Sequence, residues 1–262
     1  MLTDKVKRIS RSWLGRTGLE IRKINRSQSP ASAVLVALST SLGFRKVISI
    51  VQIGANDGRF NDPIFPFVSK HIDRTRILLV EPQTQIIPFL RANYAAHPGA
   101  IVANNAVGPE GEMTLYAVSD QYWGDCLTPY ADHDWPSYRA PSGITSTDRD
   151  RVVAWARKYY RGPLAAESVV IGLTVQSLGL PRLMELSGFD SPIDLLQVDA
   201  EGFDDQAIYS SEVEKLLPAI INFENQHLSA QRQRDLQTFL SDLEYEVIKD
   251  KVDTIAILRR SK

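Results

Sequence analysis

Four short, continuous apolar runs, each ending in polar residues, constrain this chain more than any other feature. They are KVISIVQI (46–53), RILLVEP (76–82), IDLLQVDAEG (193–202) and AIINFENQHL (219–228). None alternates apolar with polar residues, so each reads as a strand buried on both faces. Segments of helical pattern separate or follow them: TQIIPFLRANYAAH (84–97), QSLGLPRLMELSG (176–188), FDDQAIYSS (203–211) and SAQRQRDLQTFLSDL (229–243), the last with a serine cap at its start. AIVANNAVG (100–108) supplies a further strand, and SVVIGLTV (168–175) another. GEMTLYAVS (111–119) has the look of an antiparallel one. ASAVLVALSTSLGF reads as a helix ending near Gly43, and DRDRVVAWARKYY (148–160) as a second. Residues 59–71 are helix or loop around Pro63 and Pro66. YEVIK and TIAILRR close the chain as a hairpin around KDKVD. Strands alternating with helices imply an α/β fold. Its sheet is Rossmann-like and mostly parallel, with helices on both faces and a C-terminal antiparallel hairpin. In such a sheet ligands bind outside the carboxyl ends of the strands.

The 262 residues suffice for one large domain with an appendage. The expected division is a basic helical extension over 1–45 and a main domain over 46–262, with 120–162 inserted as a lid or acceptor wall. Residues 1–26 carry a charge of +6, leaving −7 on the remainder. An acidic body argues against nucleic-acid binding, which needs many phosphate contacts. Val6, Ile9 and Trp13 sit at helical spacing in the basic segment. Two readings stay open there: peripheral contact with an anionic membrane, or a helix docked on the domain. No run approaches the roughly eighteen apolar residues of a membrane span. The single cysteine, Cys126, excludes an intramolecular disulfide and any multi-cysteine zinc site, and fits a reduced cytoplasmic compartment.

The chemistry gathers at strand ends. VQIGANDG places Gly54, Ala55, Asn56, Asp57 and Gly58 after the first strand. This is not the G-x-G-x-x-G that cradles a pyrophosphate, and Asp57 would repel one. The residues suit a ligand that carries cationic groups instead. Glu81 ends the second strand, where a carboxylate can accept the hydrogen bonds of a ribose diol. Asn105 and Ala106 follow the third. Asp199 and Glu201 follow the strand IDLLQV at a spacing that shares a side if the strand continues, and Asp204 is a helix cap. Glu224, Asn225 and His227 emerge beside Asp199 if the two strands are neighbours. Such groups serve as proton acceptors or hold a divalent cation. A metal, magnesium for example, stays open, with Asp199, Glu224 and Asn225 as its ligands if it is present. Tyr122, Trp123, Trp135 and Tyr138 are available either to stack on a sugar or to anchor the insertion.

In this order VQIGANDG, LLVEP, NNAVG, IDLLQVDAEGFD and INFENQHL resemble the FkbM-type S-adenosylmethionine-dependent methyltransferases, over roughly residues 47–258. The resemblance implies a class I methyltransferase fold and O-methylation of a hydroxyl on a sugar, glycan or glycolipid. It implies that Gly54, Asn56 and Asp57 hold the cofactor and Glu81 its ribose, with Asp199 to Gly202 and Glu224 at the reaction centre. Gln197 stands where such proteins often carry lysine, and Thr174-Val175-Gln176 where they often carry T-L-D. The competing readings are a degenerate methyltransferase fold used as an interaction module and an NAD(P)-dependent oxidoreductase. The oligomeric state is not legible.

Overall fold

The computed structural model describes residues 31–128, 134–249 and 252–259. The basic segment 1–26 and the centre of the KDKVD turn lie outside the described residues. In chain order the helices are α1 (Ala31–Phe44), α2 (Phe65–Lys70), α3 (Ile87–Asn93), α4 (Arg139–Gly143), α5 (Arg149–Tyr159), α6 (Leu180–Ser187), α7 (Asp204–Tyr209), α8 (Val213–Leu216) and α9 (Ala230–Asp242). The strands are β1 (Ile48–Ile53), β2 (Thr75–Val80), β3 (Ala100–Ala103), β4 (Ala106–Val107), β5 (Gly111–Val118), β6 (Val170–Leu178), β7 (Leu195–Val198), β8 (Ile220–Glu224), β9 (Tyr245–Lys249) and β10 (Asp253–Leu258).

Seven strands form the main sheet in the order β3-β2-β1-β7-β8-β10-β9. β3, β2, β1, β7 and β8 run parallel, and the closing hairpin β9–β10 adds the antiparallel edge. The apolar runs form this sheet because they bury both faces at once. Val51, Ile53, Leu78, Val80, Leu196 and Val198 pack with α6, α7, α8 and α9 on one side. Ile48, Ile50, Ile77, Leu79 and Leu195 pack with α1, α2 and α3 on the other. Successive residues of a strand thus serve opposite cores, as a period of two requires. Val34, Leu38 and Leu42 of α1 belong to the second core. From β1 the chain winds outward through β2 and β3, then returns to β7 on the other side of β1. The ends of β1 and β7 therefore diverge, and this switch point opens a crevice above their carboxyl ends.

Several boundaries depart from the sequence reading. The helix expected over 84–97 spans only Ile87–Asn93, with Pro88 in its first turn and Tyr94 as its C-cap. The segment 176–188 is not helical throughout: β6 runs on to Leu178 and α6 begins at Leu180, again with a proline in its first turn. β5 and β6 pair antiparallel over eight residues, but they do so in a second sheet, β4-β6-β5, off the main one. Alternation along β5 and β6 reports one buried face and cannot say which sheet supplies it. The insertion has a small core of its own, in which Val152, Val153 and Ala156 of α5 meet Val118, Val169 and Val170. Among the described residues no helix is long and apolar enough to cross a membrane.

Candidate active site

A cleft of about 930 Å3, its open mouth included, occupies the switch point. β1 ends at its floor. Gly54, at φ +74°, turns the chain so that its N–H and that of Ala55 both donate to the Val80 carbonyl. The Asp199 N–H donates to the Ile53 carbonyl, which ties the end of β7 to the end of β1. Asn56 takes a left-handed conformation, φ +46°, which asparagine tolerates better than most residues.

Glu81 is buried at the end of β2, and burial pushes its carboxyl up. It accepts from the Gln83 N–H at 2.9 Å and Nε2 at 3.1 Å on one oxygen, and from the Asn56 N–H at 2.8 Å on the other. A carboxylate offers about four lone-pair directions, so the second oxygen keeps one for a ligand hydroxyl. Gly54, Ala55, Asn56, Glu81, Asn105 and Ala106 all line the cleft.

Asp57 and Gly58 do not. The Asp57 carboxylate is fully buried and accepts from the Arg59 and Phe60 N–H groups and from the Tyr138 hydroxyl at 3.1 Å. Gly58 presses against Leu90 and Tyr94. The sequence assigned both to ligand contact, but they shape the loop from behind. Asp57→Ala leaves three donors without an acceptor and Arg139 without its nearest carboxylate, at 3.9 Å. The expected cost is about 3 kcal/mol, read from urea denaturation. An unchanged midpoint would remove Asp57 from the loop's support.

β7 ends at Val198, so Asp199 and Glu201 share a side through a turn and not through continued strand. Glu201 adopts φ +49°. Asp204 begins α7, yet its carboxylate accepts from the Ala200 and Gly202 N–H groups, closing this turn and not capping the helix. Arg232 of α9 braces the same turn. It donates to the Gly202 carbonyl at 3.0 Å and pairs with buried Asp205. From the insertion, Ser146 Oγ donates to the Glu201 carbonyl at 2.8 Å and Arg151 pairs with the Glu201 carboxylate. Nothing in the sequence pointed to Arg151.

Asp199 shows its surface to the cleft while protein surrounds that space. Burial raises its pKa, with Arg139 opposing and Asp62 adding to the rise. Beyond Glu201, His227 Nε2 lies 3.4 Å from Glu224 Oε2 and 3.9 Å from Glu201 Oε2. Ligand atoms of Glu201, Glu224 and His227 fall within 4.8 Å of one another, a spacing a divalent cation can bridge. Burial, then Asp199, pushes Glu224 up to about 8. Burial, then Arg151, pushes His227 down to about 4, so at neutral pH the ring is uncharged. The Asn225 side chain turns away from this group and donates to Thr254 Oγ1 at 2.8 Å.

The four aromatics suggested for stacking on an acceptor lie outside the cleft lining. Tyr122 packs edge-on against Tyr160, Trp123 donates to the Val118 carbonyl, and Trp135 lies under the Arg139 guanidinium. Tyr138 stacks on Phe89 with centroids 4.0 Å apart. The insertion instead faces the cleft with Arg139, Ser142, Thr145, Ser146 and Thr147. It is fastened there: Asn56 Nδ2 donates to Ser142 Oγ at 3.0 Å, Thr145 Oγ1 to Gln83 Oε1 at 2.9 Å, and Arg139 Nε to the Phe60 carbonyl at 2.8 Å. Two further lining residues escaped the sequence reading. Gln52, on β1, donates to Asp62 Oδ2 at 2.6 Å, and its Oε1 is buried without a partner. Asp62 caps the start of α2 through the Ile64 and Phe65 N–H groups.

Comparison with solved structures finds a precorrin-6y C5,15-methyltransferase from Geobacter metallireducens at 13% identity, covering 92% of this chain and 94% of that one, TM-score 0.43. Cofactor-bound Rv0187 from MTB gives 12% identity over 97% and 90%, TM-score 0.46. Aeropyrum pernix fibrillarin with natively bound S-adenosyl-L-methionine gives 9% over 86% and 74%, TM-score 0.42. No curated protein matches the sequence. Residues 52–253 match the methyltransferase FkbM domain, a span that runs from Gln52 on the cleft floor to the start of β10. With that match and a doubly wound sheet whose cleft sits at the switch point, the chain belongs to the FkbM family of S-adenosylmethionine-dependent methyltransferases.

Proposed function

We propose that the chain transfers the methyl group of S-adenosylmethionine to a hydroxyl of a sugar, glycan or glycolipid. One observation carries this reading: Asp199, Glu201, Glu224 and His227 are gathered at and just beyond the mouth of the cleft. A hydroxyl must lose a proton as it attacks carbon, and this is the part of the cleft with groups to take it.

The fit to the cofactor rests on the donor set. The unpartnered Gln52 Oε1 needs a hydrogen-bond donor, and an ammonium supplies one. The spare lone pair of Glu81 suits a ribose hydroxyl. Asp62 favours a ligand with cationic groups, and no phosphate has to be accommodated. Gly54, Ala55 and Asn56 give the backbone edge along which such a ligand lies. When bound, S-adenosylmethionine supplies an electrophilic methyl group. Arg151 holds the Glu201 carboxylate, and the Asp199 carboxylate, which lines the cleft, is the proton acceptor this reading assigns.

The test is calorimetric titration of the full chain with S-adenosylmethionine and, separately, with NAD. Micromolar binding of the former alone is expected; binding of NAD alone would move the protein to oxidoreductase chemistry. The acceptor class is tested with methyl-labelled S-adenosylmethionine and glycan or glycolipid fractions. Label in base-stable methyl ethers is expected. Label confined to esters, amines or carbon would sink the O-methylation reading.

A further inference from the structure

Arg139 is the cation the cleft carries among its acids. It comes from α4 in the insertion, its side chain is 12% exposed, and it lines the cleft. Its Nε is spent on the Phe60 carbonyl, and its plane lies over Trp135. Among the described residues neither terminal nitrogen makes a hydrogen bond. Its nearest carboxylate, on Asp57, stands 3.9 Å from Nε and is already occupied by two backbone donors and the Tyr138 hydroxyl. Gly143 allows the arrangement, because a Cβ there would collide with Arg139 Nη1. A mostly buried guanidinium held by one edge, with its other edge unpaired, is built to receive an anion in bidentate fashion.

The acceptors lie close by in the same cleft. Gln52 Oε1 lacks a partner, and Asp62 and Asp199 lie near enough for Arg139 to lower the pKa of both. An anion site beside acceptors for a cation matches one common chemical group, the zwitterionic head of an α-amino acid.

Resting on the cofactor reading above, we propose that Arg139 binds the α-carboxylate of the methionyl end of S-adenosylmethionine, while Gln52 and Asp62 take its ammonium. The insertion then acts as more than an acceptor wall: it supplies the residue that distinguishes the carboxylated cofactor from its decarboxylated form.

The experiment is calorimetry of the full chain with S-adenosylmethionine and with decarboxylated S-adenosylmethionine, which differs at this group alone. The wild-type protein is expected to prefer the former by about tenfold to a hundredfold, the range for a charge-assisted contact. Arg139→Met is expected to bring the two affinities within about twofold by weakening the carboxylated ligand alone, and Arg139→Lys to restore part of the preference. Equal wild-type affinities, or a preference that survives in Arg139→Met, would overturn the inference and leave the cofactor reading standing. Failure of the wild-type protein to bind either would overturn both. Should Arg139→Met not fold, the wild-type comparison decides alone.

Discussion

Gly54→Ala is expected to abolish S-adenosylmethionine binding and to lower stability by about 3 kcal/mol, from a left-handed alanine and an overpacked backbone together. Two independent facts lead there. The residue sits at φ +74°, and its missing side chain would overlap the carbonyl oxygen of Asp199. That oxygen belongs to the backbone at the end of β7, so no rotamer change relieves the clash. Either β1 or β7 must shift, and both form the floor of the cleft. Urea denaturation reads the stability, and calorimetry reads the binding. A folded variant of unchanged midpoint that still binds at wild-type affinity would show that the two strand ends separate freely.

Asp199→Asn is expected to keep the cofactor dissociation constant within about threefold and to lower methyl transfer by about 10²–10⁴-fold, the usual span for a general acid–base group. The substitution preserves shape and removes the charge. Asp199 raises the pKa of Glu201, Asp204 and Glu224, so its loss also lets those carboxyls ionise more readily. Transfer at the wild-type rate would remove Asp199 from the mechanism. A dissociation constant raised in step with the lost rate would make it a cofactor ligand only.

The parts legible in the sequence are those governed by burial. β1, β2, β7 and β8 are mostly apolar without alternation because both their faces are covered, and their polar ends mark the rim of the cleft. Glu81 and Asp199 could be placed from that alone. The direction of the Asp57 side chain was not legible, because its position after the strand end says nothing of it; the left-handed Asn56 turns that side chain back under the loop. Arg139, Ser142, Thr145 and Arg151 were missed for another reason. They belong to the insertion and reach partners far away in the chain, 86 residues in the case of Asn56 and Ser142. Only the third dimension brings them together. The aromatic residues of the same insertion suggested sugar stacking, but aromatic content signals buried contact of any kind, and here the contacts are with one another and with Phe89. For Gln52 a signal existed: a long amide side chain within a strand buried on both faces needs a reason to be there.

The fastening of the insertion bears on how acceptor choice can change. Ser142, Thr145, Tyr138 and Arg139 are hydrogen-bonded to Asn56, Gln83, Asp57 and the Phe60 backbone, which belong to the loops at the cofactor end. The two halves of the site are therefore not separable modules. A graft that exchanged residues 134–147 for the wall of a relative would strip Asn56, Asp57 and Gln83 of their partners, and would first be seen as a weaker grip on the methyl donor. A successful transplant has to carry those three positions along with the wall.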